Sequence, residues 1–167
     1  MKAFVAGFVI GLAVILVGVY FYFSLGMAPV ATSEKPMPFE EQLAHMALKA
    51  KIEKEMPKQP QTVEASDVNL TAGAETYRLY CSGCHGKAGQ PLSSVARGMF
   101  PRPPHLLDGT GVTDDPVGET YWKVANGIRL TGMPAFKKTL SELQIWQVSL
   151  MLANAAKLPP AVEAKLR

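Results

Sequence analysis

The chain has 167 residues, with 48% hydrophobic and 19% charged residues and a net charge of +3. That length suits one domain plus an appendage, and the composition excludes a mainly disordered chain. Two cysteines exclude a disulfide scaffold, and the lack of any Lys/Arg-rich run argues against nucleic-acid binding.

Ala3 to Phe23 is an uncharged run of apolar or small residues. As a helix it spans roughly 30 Å, the hydrocarbon thickness of a bilayer. Tyr20 and Tyr22 lie at its far end, where amphipathic rings favour the interface. A cleaved signal peptide is the competing reading. The run is longer than a signal core, and Gly26-Met27-Ala28 and Pro29-Val30-Ala31 are poor cleavage sites. We therefore expect an uncleaved anchor over residues 1–24, with residues 3–23 in the lipid bilayer. Lys2 before the run places the N-terminus in the cytoplasm and the remainder outside. Gly7, Gly11 and Gly18 share one face of this helix, a seam that suits another membrane helix; glycine is also simply common in such helices.

Residues 25–69 read as linker. Within them Phe39 to Met56 is predicted helical, begun after Pro38 and stopped by Pro57. Phe39, Leu43, Met46 and Ala50 fall on one side, and Leu48, Ile52 and Met56 nearly opposite. A helix apolar on two faces is either sandwiched between two bodies or a frayed linker. Residues 34–70 carry 5 cations against 7 anions, whereas residues 72–167 carry 11 against 7.

The main domain is placed at 70–167, with three helices. The first runs from an N-cap at Thr71 to about Cys81. The second follows Asp115 as cap with Pro116 at N1, over Val117 to Asn126, and stops at Gly127. The third starts in a capping box, Ser141 with Gln144, stapled by Leu140 and Ile145, and ends near Lys157. No alternating strand pattern is visible. Gly86 to Asp114 reads as ordered loop, with seven Gly and Pro in its first twenty residues. Such a loop needs something beyond its own backbone to pack around.

Cys81-Ser-Gly-Cys84-His85 decides the chemistry. C-x-x-C-H is the attachment signature of a c-type haem. One turn of chain brings two thiols to the vinyl groups of one haem edge for thioether formation, and the next residue turns its imidazole to the iron. Gly83 and Gly86 let the backbone lie against the porphyrin. A redox dithiol would need a thioredoxin-like β-α-β setting. A zinc site would need a second ligand pair, which His45 and His105 do not supply. Met133, in Thr131-Gly-Met-Pro-Ala-Phe136, is the leading candidate for the second axial ligand, since Gly132 and Pro134 shape an irregular backbone around a soft thioether. Met99, His105 and Met151 are the rivals, and an open iron position is the alternative to any of them.

Residues 70–167 resemble the class I cytochrome c domain of small bacterial monohaem cytochromes. The matching residues are Thr71-Ala-Gly-Ala-Glu-Thr-Tyr77 before the pentapeptide, Tyr121-Trp-Lys-Val-Ala-Asn-Gly127-Ile, Gly132-Met-Pro-Ala135 and a closing helix with Trp146. The resemblance implies an all-α fold: three main helices around one covalent haem c, joined here to the transmembrane and linker helices. It implies a crossing of the first and last helices, with Gly73 and Tyr77 against Trp146 and Leu150. It implies a proline carbonyl, from Pro103 or Pro104, that holds the His85 imidazole. Arg102 is a candidate for a haem propionate, against the plainer reading of a solvated cation. Six-coordinate iron implies a carrier of single electrons and not an enzyme. With the anchor, the expectation is a haem domain on the periplasmic side of a bacterial inner membrane, working between respiratory or photosynthetic redox complexes. The alternatives are a fixed haem subunit through which electrons enter one large complex, and, further off, a haem-based sensor.

Overall fold

Helix starts and stops written into the sequence account for most of the architecture of the computed structural model, which describes residues 1–58, 63–108 and 115–167. All regular structure among these residues is helical: α1 (Lys2–Ser24), α2 (Glu40–Glu55), α3 (Asp67–Tyr80), α4 (Ser82–His85), α5 (Ser94–Arg97), α6 (Val117–Asn126), α7 (Glu142–Ala153) and α8 (Pro160–Glu163), with 3₁₀ turns at Ala155–Lys157 and Ala164–Leu166. Part of the 25–69 linker, at residues 59–62, and the end of the predicted loop, at residues 109–114, lie outside the described residues.

The chain forms two compact units, Met1–Gln42 and Leu43–Arg167. In the first, α1 is long and apolar enough to cross a membrane, with a mean hydropathy of 2.6 and no buried residue. Gly7, Gly11 and Gly18 lie open along it. The loop after α1 is tied locally, with the Glu34 carboxylate accepting from the N–H groups of Val30 and Ala31 at 2.8 and 2.9 Å.

In the second unit the two faces of α2 have different fates. Ile52 is buried, and Leu48 and Met56 are half-buried, whereas Leu43 and Met46 stay exposed. Trp122 Nε1 of α6 donates to the Glu55 carboxylate at 3.3 Å. A side chain at Gly118 would stand 2.4 Å from the Pro57 carbonyl oxygen. The end of α2 thus packs on α6, so this part of the linker belongs to the same body as the C-terminal helices.

α3 begins earlier than predicted. Ser66, not Thr71, is its N-cap, with the Ser66 hydroxyl accepting from Asn69 N–H at 3.5 Å and Asp67 in the first turn. The extra turn buries Leu70 in the core. α6 is shifted by one residue in its cap: Pro116 is the N-cap, and Asp115 instead pairs with Lys123 at 3.2 Å. α7 starts in the expected capping box, and Leu140 and Ile145 share the core cluster. It stops at Ala153, four residues early, and a 3₁₀ turn follows. α5 interrupts the predicted loop because Ser93 caps it, accepting from Ala96 N–H at 3.1 Å.

The core lies between α3, α6, α7 and α8 and includes Leu70, Tyr77, Val124, Ile145, Val148, Met151, Leu152 and Val162. α3 and α7 cross at Gly73, where an added Cβ would stand 2.3 Å from the Gln147 carbonyl oxygen and 2.8 Å from Met151 Cβ. The partners of Gly73 are therefore Gln147 and Met151, one turn apart, and not Trp146 and Leu150. Trp146 lies about 100° around the helix from Gln147 and stacks on Tyr121 of α6, ring centres 4.1 Å apart.

Candidate functional site: a haem-attachment turn and a thioether loop

Cys81 is the C-cap of α3, held by its N–H to the Tyr77 carbonyl at 2.8 Å. The chain then turns once. Cys84 and His85 N–H both donate to the Cys81 carbonyl, at 3.1 and 2.9 Å. Gly86 ends the turn at φ +84, a left-handed value that favours glycine. His105 closes against it: an added Cβ on Gly86 would stand 2.3 Å from the His105 ring.

Four groups outside the turn hold it. The Tyr77 hydroxyl donates to the Gly86 carbonyl at 2.8 Å and lies 3.2 Å from that of His85. Ser93 Oγ donates to the Gly83 carbonyl at 2.8 Å. Leu106 N–H donates to the His85 carbonyl at 3.2 Å. Pro104 supplies the carbonyl that faces His85 Nδ1, at 2.9 Å. A carbonyl only accepts, so Nδ1 carries the proton and Nε2 keeps its lone pair. Burial pulls the His85 pKa below its ordinary value, favouring the neutral, ligating form. Burial, with Cys84 next to it, pushes the Cys81 thiol up to about 12. A thiol so disposed is not an activated thiolate. Among the described residues no group of three or more His, Cys, Asp or Glu side chains is placed to hold a metal.

Met133 lies on the loop after α6 and packs, half-buried, on the same core as Cys81, Leu106, Leu107, Tyr121 and Phe136. Gly127 begins this loop at φ +67, with the Met133 carbonyl, Pro134 and Ala135 so close that a Cβ would stand 2.7–2.8 Å from them. Phe136 and Lys137 N–H return to the Val124 and Ala125 carbonyls at 3.0 and 3.2 Å.

The rivals of Met133 have different surroundings. His105 Nε2 donates to the Gln90 carbonyl at 2.8 Å and its Nδ1 accepts from Asp108 N–H at 3.1 Å, so both ring nitrogens brace the loop. Met151 is fully buried within α7. The Met99 side chain rests on Gly132, its Sδ 3.0 Å from where a Cβ would be. Arg102 is exposed and Pro103 half-buried. The bracing roles of Tyr77, Ser93 and His105 carry no signal in the sequence, where Tyr77 reads only as a helix-crossing residue.

The donor set fits a c-type haem: two thiols on one turn, an imidazole with Nδ1 tied and Nε2 without a partner among the described residues, and a thioether on the same core. Residues 68–150 match the family model described as cytochrome C oxidase, cbb3-type, subunit III. No match is found among curated proteins.

Proposed function

We propose that this chain, which belongs to the class I c-type cytochromes and carries an apolar N-terminal helix long enough to cross a membrane, is a membrane-tethered carrier of single electrons. The observation that carries the reading is the His85 turn, where the Pro104 carbonyl fixes Nδ1–H and leaves Nε2 to ligate. Cys81 and Cys84 would hold the haem through thioether bonds, and His85 and Met133 would ligate its iron. The haem, when bound, supplies a one-electron ferric/ferrous couple. The chain's own part is to orient His85 through Pro104, to present Met133, and to surround both with apolar side chains. Thioether ligation favours the reduced iron and so raises the potential. With both axial positions filled by His85 and Met133, the iron would have no position for a substrate, which favours transfer over catalysis.

In this reading α1 is an uncleaved anchor in a bacterial inner membrane, with the haem domain on the periplasmic side and respiratory or photosynthetic complexes as partners. Tethering raises the effective concentration of the domain near those complexes. A second reading, a fixed haem subunit of one such complex, is favoured by the matched family, a subunit of cytochrome c oxidase, and by the packing of α2 on α6. Gly7, Gly11 and Gly18 would then seat a neighbouring membrane helix.

Optical spectra of the purified full-length protein, oxidised and reduced, with and without carbon monoxide, test the carrier chemistry. A low-spin c-type spectrum unmoved by the gas is expected; a carbon monoxide shift would favour a sensor. Recovery of the chain alone from mild detergent supports the carrier, and stoichiometric co-purification with other subunits supports the fixed subunit.

A further inference from the structure

Met133 sits on no helix, so a turn must aim it. That turn, Ile128 to Met133, contains Leu130 at φ +60, a backbone region that a bulky residue rarely adopts. A bend of this kind persists only where neighbouring bonds over-determine it. Ile128 N–H donates to the Met133 carbonyl at 3.2 Å, and Thr131 N–H donates to the Ile128 carbonyl at 3.3 Å. The Thr131 hydroxyl adds two more bonds. It donates to the Ile128 carbonyl at 2.7 Å and accepts from Met133 N–H at 3.1 Å. One side chain thus joins both ends of the turn and uses its donor and an acceptor together. Between Thr131 and Met133, Gly132 is exposed, with the Met99 side chain beside it.

We infer that Thr131 is the positioning residue for Met133. Its hydroxyl fixes the peptide plane at Met133 N and so the direction in which the thioether is presented. This rests on the reading of Met133 as the sixth ligand. The β-branched side chain has few χ1 choices and holds the hydroxyl where both bonds form. Valine keeps that shape and loses both bonds; serine keeps the hydroxyl.

The test compares full-length, haem-loaded protein as wild type, Thr131→Val and Thr131→Ser. The readouts are the far-red iron–thioether band of the ferric form, the affinity for added imidazole, the reduction potential and the thermal midpoint. Imidazole competes with Met133 for the iron, so its affinity reports how firmly Met133 is held. In Thr131→Val the band is expected to weaken, the potential to fall and imidazole to bind about tenfold more tightly, the scale of one or two lost neutral hydrogen bonds. Thr131→Ser should stay within about twofold of wild type on the same scale. Unchanged imidazole affinity in Thr131→Val overturns the inference, even if the thermal midpoint falls. So does a Thr131→Ser variant that shifts as far as the valine one. A wild-type protein without the thioether band overturns the ligand assignment itself, and the positioning role with it. That failure is recognisable because it appears in the unsubstituted chain.

Discussion

The attachment turn at 81–86 and the thioether loop at 127–136 present one candidate iron ligand each, by opposite means. The first continues a helix and is held from outside, by Tyr77 of α3, Ser93 before α5, and Pro104 and Leu106 of the following loop. The second leaves a helix and is held largely from within, by Thr131, by the Ile128–Met133 pair and by the close approach at Gly127. The difference separates two tasks. An imidazole needs a fixed tautomer and ring plane, which a distant carbonyl can set. A thioether needs only a direction of approach, which a tight turn can set by itself.

The largest expected effect breaks the first side completely. His85→Ala removes the ring that Pro104 orients, and haem-loaded protein should fall to a small fraction of wild type, measured as covalently bound haem per chain. Met133→Ala should leave attachment intact. It should open the iron, so that the reduced form binds carbon monoxide, and lower the potential by on the order of 0.1 V, a modest part of the ~0.8 V that axial ligands command. A carbon-monoxide-inert variant with an unchanged potential would show that another group ligates.

Gly127→Ala tests whether the second side is held from within. The residue lies at φ +67 and ψ −178, a region essentially reserved for glycine. The new Cβ would also meet the backbone of Pro134 and Ala135 at 2.7 Å. A loss of about 1–3 kcal/mol is expected, with partial carbon monoxide binding and full covalent haem. Denaturation midpoints and spectra on one sample would check both. Stability lost without any ligand opening would mean that the loop shifts as a rigid piece.

The same contrast explains what was legible in the sequence. Cys81, Cys84 and His85 stand within one turn of chain, so their spacing alone carried their relation. The Ser141–Gln144 box is equally local. The start of α3 was not readable, because Ser66 and Thr71 are both good caps and only the burial of Leu70 decides between them. Nor was the face of α7 that meets Gly73, which depends on where α6 takes up Trp146. α8 lies beyond Lys157, where the last predicted helix ends, and Pro160 opens it at its first turn. The grip of Thr131 on Met133 depends on a rotamer within an irregular loop, for which residue identity alone gives no signal.

The smallest expected effect at the iron is that of Tyr77→Phe, and it sharpens the comparison most. Tyr77 is fully buried, and its hydroxyl serves the Gly86 carbonyl, with that of His85 close by. Burial raises its pKa above the ordinary tyrosine value, so it remains a donor across the working pH range. Phenylalanine keeps the ring in the core and leaves the Gly86 carbonyl without this donor, a cost of about 1–3 kcal/mol. The bond from His85 Nδ1 to Pro104 comes from a different segment and should survive. Stability should therefore fall while the potential and the carbon monoxide response stay at wild-type values. A potential that moved with Tyr77→Phe would mean that the turn and the ring are one unit, and that the proximal ligand, like the distal one, is aimed by its own backbone.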